Sequence, residues 1–345
     1  MSADEGRAFV GRLLPANVSD RTGWATDIFA AIAALDIPPT AHNFCAVIAI
    51  TEQESSFSAD PPVPGLAGIA WKEIERQRER AGIPRLVLQG AFALQSSDGR
   101  SYSERINAVR TEKQLSEIFE EFIGMVPMGK RFFAGLNPVR TGGPMQVSIA
   151  FAERHAGTKT YPYAITGTIR HEVFTRRGGM YFGTAHLLGY PAGYDSNVYR
   201  FADFNAGWYA SRNAAFQSAV TQVSGIPLAL DGDLLRYERG QPAIEPSSTE
   251  LATRVLARRL DMTDAQIRRD LELATTHEFE KSRLYRRVFE LADRASATPA
   301  PRAVVPRILL QSPKITRKLT TDWFANRVDE RQRRCLARAE KVAGA

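Results

Sequence analysis

Glu54 is the residue whose type and position best suit proton transfer. It follows an unbroken apolar stretch, Phe44 to Ile50, for which Thr40 offers an N-cap, and Asp60-Pro61-Pro62 forbids the helix from running on. The pattern predicts a buried helix with a carboxylate on its last turn. A carboxylate there faces the negative end of the helix dipole while apolar neighbours strip it of water, and both effects favour the protonated acid. An acid kept protonated near neutral pH can donate to a leaving group. A lone glutamate in such a place is more often a solvated last-turn residue, so the weight falls on the rest of the chain.

Three later segments combine amide, small and aromatic residues. They are Gly143-Pro144-Met145-Gln146-Val147, Ala202-Asp203-Phe204-Asn205-Ala206-Gly207 and Phe279-Glu280-Lys281-Ser282-Arg283-Leu284-Tyr285-Arg286-Arg287-Val288. With Gln53-Glu54-Ser55-Ser56-Phe57 before them, the series resembles the soluble lytic transglycosylases and goose-type lysozymes. Those domains carry a Glu-Ser-x-Phe element, a Gly-x-Met-Gln element, a Tyr-Asn-Ala-Gly element and a late tyrosine, in that order. Gly178-Gly179-Met180-Tyr181-Phe182, leading to Leu187-Leu188-Gly189-Tyr190, resembles the Gly-x-x-Tyr-Leu helix that precedes Asn-Ala-Gly in that family. The chain also resembles a family of Gram-negative lipoproteins with such a lysozyme-like core.

The resemblance spans residues 41 to 290 and implies roles for individual residues. Glu54 matches the catalytic acid/base. Ser56, Met145 and Gln146 match residues lining a sugar cleft, Phe204 and Asn205 match substrate contacts, and Tyr285 matches a tyrosine that orients the catalytic carboxyl. On these terms Glu54, Gln146, Asn205 and Tyr285 should converge on one groove. Each has a plainer reading: Met145 as core filler, Gln146 and Asn205 as turn residues satisfying backbone groups, Tyr285 as an ordinary helix residue. Phe204 stands where the family has tyrosine, which keeps an aromatic face and loses a hydroxyl. Asp203 is the only candidate for a second carboxylate, although a capping or salt-bridged aspartate is its commoner use.

The expected fold is mainly α (α+β, lysozyme-like), a helical core with a long helical insertion and a docked C-terminal basic helix. The expected organisation is one domain over 1–295, with an insertion at about 61–140, then a linker and basic tail over 296–345. Within the insertion, Thr111-Glu112-Lys113-Gln114 has the capping-box pattern, with Leu115, Ile118, Phe119, Phe122 and Ile123 on one helical face. Trp71 and Ile74 suggest another helix, ended by Gly82, and Leu86 to Leu94 reads as a short strand or turn. The insertion is either a lid or partner surface, or a prop packed on the core. Capping-box patterns also open helices at Ser247 and Thr263, and Phe216, Val220 and Val223 share a helix face ending at Gly225. Tyr163 to Phe174 and Leu228 to Tyr237 are the best strand candidates.

Net charge is +7, and the excess lies beyond Pro299. Ala295 to Pro306 reads as a linker and Ser312-Pro313 as a further break. A helix beginning near Thr320 or Thr321 then carries Phe324, Val328 and Cys335 on one side and arginines around the rest. Such a helix could contact anionic wall polymer, lipid head groups or nucleic acid, or dock its apolar stripe on the core. A nucleic-acid partner rests on the tail charge alone and is not expected. The two cysteines, Cys45 and Cys335, could form a disulfide or remain two buried thiols. Because Cys335 lies on the apolar stripe, the tail is expected to fold back and bring it to Cys45.

No stretch has the roughly 18 uninterrupted apolar residues of a membrane span, and the first residues lack a leader pattern. His171-Glu172 and His277-Glu278 lack the second histidine of a zinc helix, so no metal is expected, nor any cofactor. Phosphate-loop, dinucleotide and nucleophile-elbow motifs are missing. The function that the resemblance implies is a peptidoglycan lytic transglycosylase. A single Glu54 would cleave the N-acetylmuramic acid to N-acetylglucosamine linkage and leave 1,6-anhydro ends, where most glycosidases use two carboxylates. The alternatives are a hydrolytic muramidase and a lysozyme-like scaffold that binds glycan or a partner without cleavage. The matching location is the periplasmic cell envelope, with an outer-membrane lipid anchor, glycan strands as partner, and room for peripheral membrane contact or an envelope protein at the insertion.

Overall fold

The computed structural model is mainly helical, with 60% of the chain in helix and 4% in strand, which fixes the fold class as mainly α. It describes residues 1–125, 133, 136–238, 240–310 and 318–343. The chain forms two compact units. The first comprises residues 1–186 and 335–345, and the second residues 187–334.

The first unit opens with α1 (Ala3–Leu13), α2 (Arg21–Ala34) and α3 (Ala41–Ser55). Thr40 caps α3 by accepting from the Asn43 amide at 3.2 Å, and every residue from Phe44 to Thr51 is buried. A helix apolar on all sides is a core helix, as the sequence implies.

The insertion supplies α4 (Leu66–Arg80), α5 (Arg85–Phe92), α6 (Tyr102–Ala108) and α7 (Glu112–Met125). The capping box at Thr111 forms: the Gln114 amide donates to the Thr111 hydroxyl, and the Gln114 carbonyl oxygen accepts from the Thr111 amide. Phe92 and Phe122 stack at 4.6 Å, with Tyr102 and Phe119 edge-on to Phe122. The core of the insertion is continuous with Val147, Ile149, Tyr181 and Phe182. Leu86 to Leu94 is mostly helix rather than strand or turn. Pro84 sets the entry into α5, and the apolar pair that matters is Leu88 and Phe92, four apart and both buried, which is a helical period.

A two-residue hairpin follows, β1 (Thr141–Gly142) antiparallel to β2 (Val147–Ser148), with Thr141 opposite Ser148. Then come α8 (Ile149–Thr158), α9 (Ile169–Val173) and α10 (Arg176–Leu188), whose last two residues belong to the second unit. The strand expected at Tyr163 to Phe174 is irregular chain followed by α9, because Thr168 caps a helical turn by accepting from the His171 amide at 3.1 Å.

The second unit contains α11 (Asn197–Ala206), α12 (Ala210–Ser224), the hairpin β3 (Tyr237–Glu238) and β4 (Gln241–Pro242), α13 (Ser248–Val255), α14 (Ala257–Leu260) and α15 (Asp264–Leu271). A 3₁₀ turn, His277–Lys281, leads into α16 (Arg283–Arg294). Phe216, Val220, Leu260, Phe279, Val288 and Phe289 form its apolar centre. Thr263 forms the full capping box; Ser247 caps by accepting from the Glu250 amide, while the Glu250 carboxylate pairs with Arg254 and Arg268; Gly225 ends α12 with a left-handed φ of 73°. Of the strand expected over Leu228 to Tyr237, only Tyr237 pairs; Asp231 and Gly232 bend the chain, and the Gly232 amide is held by the Gln217 side chain instead.

The segment after Ala295 is fastened to this unit by backbone bonds from Val304 to Ser211 and from Arg307 to Leu230. The break read at Ser312-Pro313 lies outside the described residues. α17 (Thr321–Ala343) begins where the sequence places it, and Phe324 and Val328 are buried. Cys335 is disulfide-bonded to Cys45, with Cα atoms 5.5 Å apart. The bond closes the first unit onto the end of α17, where Arg338 donates to the Leu13 carbonyl at 2.8 Å.

Candidate functional site

Glu54 stands on the last turn of α3, partly exposed. Thr51, one turn earlier, anchors this end: its hydroxyl donates to the Val47 carbonyl and lies 3.7 Å from the Met180 sulfur on α10. The helix ends abruptly. Ser56 and Phe57 are both left-handed, with φ of 50° and 62°, a conformation that costs side-chain-bearing residues on the order of 1–3 kcal/mol each. Packing holds them there. Phe57 is buried edge-on to Trp24 at 5.4 Å, and Trp24 is covered by the Arg176 guanidinium, which is ion-paired to Asp20 and Asp27. Beside Glu54, the Gln53 side-chain carbonyl oxygen is buried with no hydrogen-bond partner among the described residues. Ser56 is exposed.

The Gly143–Gln146 turn is built on the same helix, α10. Gly143 has φ of 72°, and a Cβ there would collide with the Val173 carbonyl, so only glycine fits. Met145 is fully buried against Gly183, where any side chain on α10 would displace the methionine sulfur. Gln146 is left-handed, φ 50°, and its amide and side chain both bond to the Gly143 carbonyl, while Thr141 donates to its side-chain oxygen at 3.3 Å. The ends of the first and second motifs are thus both seated on α10, Thr51 against Met180 and Met145 against Gly183.

Asp203, Phe204, Asn205 and Tyr285 belong to the second unit. Asp203 is fully buried on α11 and accepts four hydrogen bonds: from the Tyr190 hydroxyl at 2.9 Å, the Tyr194 hydroxyl at 2.7 Å, the Tyr209 amide at 3.0 Å and the Ser211 amide at 2.7 Å. Burial pushes its pKa up, and the bonds from Tyr194, Ser211 and Tyr190 offset this only in part. With four donors on its two oxygens and no face on water, it has the surroundings of a structural hub, and a water-positioning second carboxylate needs the opposite. Phe204 is half-buried. Asn205 is exposed, its side-chain oxygen 3.5 Å from the Thr321 hydroxyl.

Ser282 caps α16 by accepting from the Tyr285 amide at 3.1 Å, which places Tyr285 in the first turn of that helix and Glu280 on the 3₁₀ turn before it. The Tyr285 ring packs on Phe216, Phe279 and Phe289. Burial, together with the Glu280 carboxylate nearby, pushes its hydroxyl up to about 12. Within its own unit, then, the carboxyl beside Tyr285 is Glu280. The sequence pattern assigns Glu280, inside the late motif, no role. It missed Arg212 altogether, an arginine only 1% exposed that lies 4.1 Å over the Tyr209 ring and 3.4 Å from Glu280. Nothing in the local pattern around Arg212 marks it as buried.

Among the described residues no group of three or more His, Cys, Asp or Glu side chains is placed to hold a metal ion, and no helix is long and apolar enough to cross a membrane.

Residues 17–338 match the family model described as a protein of unknown function, DUF1615. The chain belongs to that family. It is 56% identical over 327 residues to the uncharacterized protein YaiW of Escherichia coli (strain K12), an alignment that covers 95% of this chain and 88% of that protein. No solved structure matches it.

Proposed function

We propose that the chain is a peptidoglycan lytic transglycosylase of the cell envelope, with Glu54 as its acid/base. One observation supports the reading above others: where the backbone is strained. Among the described residues, four that are neither glycine nor aspartate adopt a left-handed φ: Ser56, Phe57, Gln146 and Tyr209. The first three lie inside the first two motifs, and the fourth follows the third motif by two residues. Strain of this kind persists only where surrounding packing enforces it, and it gathers at sites that must hold a geometry.

In this reading Glu54 protonates the glycosidic oxygen between N-acetylmuramic acid and N-acetylglucosamine. It then takes the proton of the muramic 6-hydroxyl as that oxygen closes onto the anomeric carbon. One carboxyl suffices because the substrate's own N-acetyl oxygen stabilises the anomeric centre between the two steps. Met145 and Gln146 would shape the sugar site beside the acid. The surroundings of Asp203 weigh against hydrolysis with a second carboxylate.

Mass spectrometry of purified peptidoglycan digested with the protein tests the proposal. Muropeptides lighter by one water than hydrolytic products support it. Products carrying that water would make the protein a muramidase, and tight glycan binding with no cleavage would make it a binding scaffold.

A further inference from the structure

The second unit encloses a cavity of about 330 Å³, within the range of sites for small ligands, and neither the motifs nor the proposed chemistry accounts for it. Three of its walls are aromatic, the rings of Tyr194, Tyr199 and Tyr285. Tyr285 is only 8% exposed, and it is one of the residues that line the cavity. Glu280, Arg212 and Arg302 line the same cavity. A tyrosine hydroxyl at a cavity wall can donate to or accept from a bound ligand.

The charges around the cavity decide which ligand. Arg212 spends its donors on the Thr276 and Ala274 carbonyls and on Asn213. Arg302 is paired with Asp293 at 2.7 Å and also donates to the Ala300 carbonyl at 2.6 Å. The cations are therefore committed to the protein. The acids are less so: Glu280 has one long contact to Arg212 at 3.4 Å and another to His277 at 3.9 Å, and Asp195 is exposed with no ion pair among the described residues. A carboxylate with no ion pair among the described residues, Asp195, and a second held only by long contacts, Glu280, beside aromatic residues are surroundings that stabilise an organic cation, through charge and through the ring quadrupoles.

We propose that this cavity binds a small organic ammonium ion, with its N–H groups donating to Asp195, Glu280 and the Tyr285 hydroxyl and its methylenes lying against the tyrosine rings. The site does not depend on the peptidoglycan reading and would stand if Glu54 proved inert.

Calorimetric titration of the full chain at low salt tests it, with cadaverine as the cationic probe and glutarate as an anion of the same length. The expected result is saturable cadaverine binding that weakens with added salt, and none for glutarate. Asp195→Asn should weaken cadaverine about tenfold, and Tyr285→Phe severalfold. Glu280→Gln should weaken it at least as much as Asp195→Asn, although loss of the Arg212 pair could also disturb the fold. Asp195→Asn carries no such cost, so it decides the matter. Absence of cadaverine binding at about 10 mM would overturn the proposal. So would preferential glutarate binding, or an Asp195→Asn variant that binds as the parent does.

Discussion

In the first unit Glu54 keeps part of its surface in water at the end of a strained helix, whereas in the second unit Asp203 is sealed among four donors. The units differ in the same way in how they are closed. A covalent bond, Cys45 to Cys335, ties α3 to the end of the chain in the first. In the second, a polar hub ties α11 to the turn that begins α12. A carboxylate sealed from water among four donors is a structural element, and one left partly solvated at a rigid helix end remains open to chemistry. The contrast separates two acids that the sequence alone offers for one reaction.

Breaking the covalent closure should have the largest effect. The bridge joins residues 290 apart, and in the chain-entropy model a loop of that length is worth about 6 kcal/mol. Reduction, or Cys335→Ser, should lower the melting temperature in a thermal scan, and the unfolded, unreduced protein should show no reactive thiol. Two titratable thiols would remove the covalent side of the comparison.

Opening the polar hub should come next. Asp203→Ala leaves two tyrosine hydroxyls and two amides without their acceptor, at a cost of about 3 kcal/mol or more in urea denaturation. Asp203→Asn keeps acceptor capacity on one oxygen and should lose less. If Asp203→Ala unfolded at the parental midpoint while wall cleavage was lost, Asp203 would be a site residue and the contrast with Glu54 would fail.

A smaller effect sharpens the point with a buried carboxylate in the first unit. Glu172 is fully buried; burial raises its pKa, and bonds from Arg177, Tyr161 and Thr166 outweigh that, for a net lowering. A lowered folded pKa means stability that is present above the unfolded carboxylate value of about 4.3 and lost as pH falls through the folded value. Glu172→Gln should therefore cost about 2 kcal/mol at pH 7 and flatten the decline of stability on the acid side. An unchanged acid limb would mean that this carboxylate is not held as a charge.

The local physics was legible where it is short-ranged. Thr40, Thr111, Ser247 and Thr263 cap helices because a hydroxyl and an amide three residues on decide the matter between them, and the run Phe44–Ile50 reads as core because it has no polar face. The errors share a cause. Leu86 to Leu94 and Tyr163 to Phe174 mix β-branched and turn residues, and helix wins there through a proline or threonine at the entry and through burial of residues four apart. The candidate site divides in the same way. Gly143 and the end of α3 show in the spelling of the motifs, whereas the donors to Asp203 and the seat of Arg212 come from partners up to 68 residues away, which no local pattern carries.

The central claim rests on one carboxyl, and Glu54→Gln tests it most directly because the swap keeps shape and removes the proton. Purified peptidoglycan should be cleared by the parent and not by the variant, with the two proteins melting at the same temperature. A folded Glu54→Gln variant that clears peptidoglycan as fast as the parent would contradict the account.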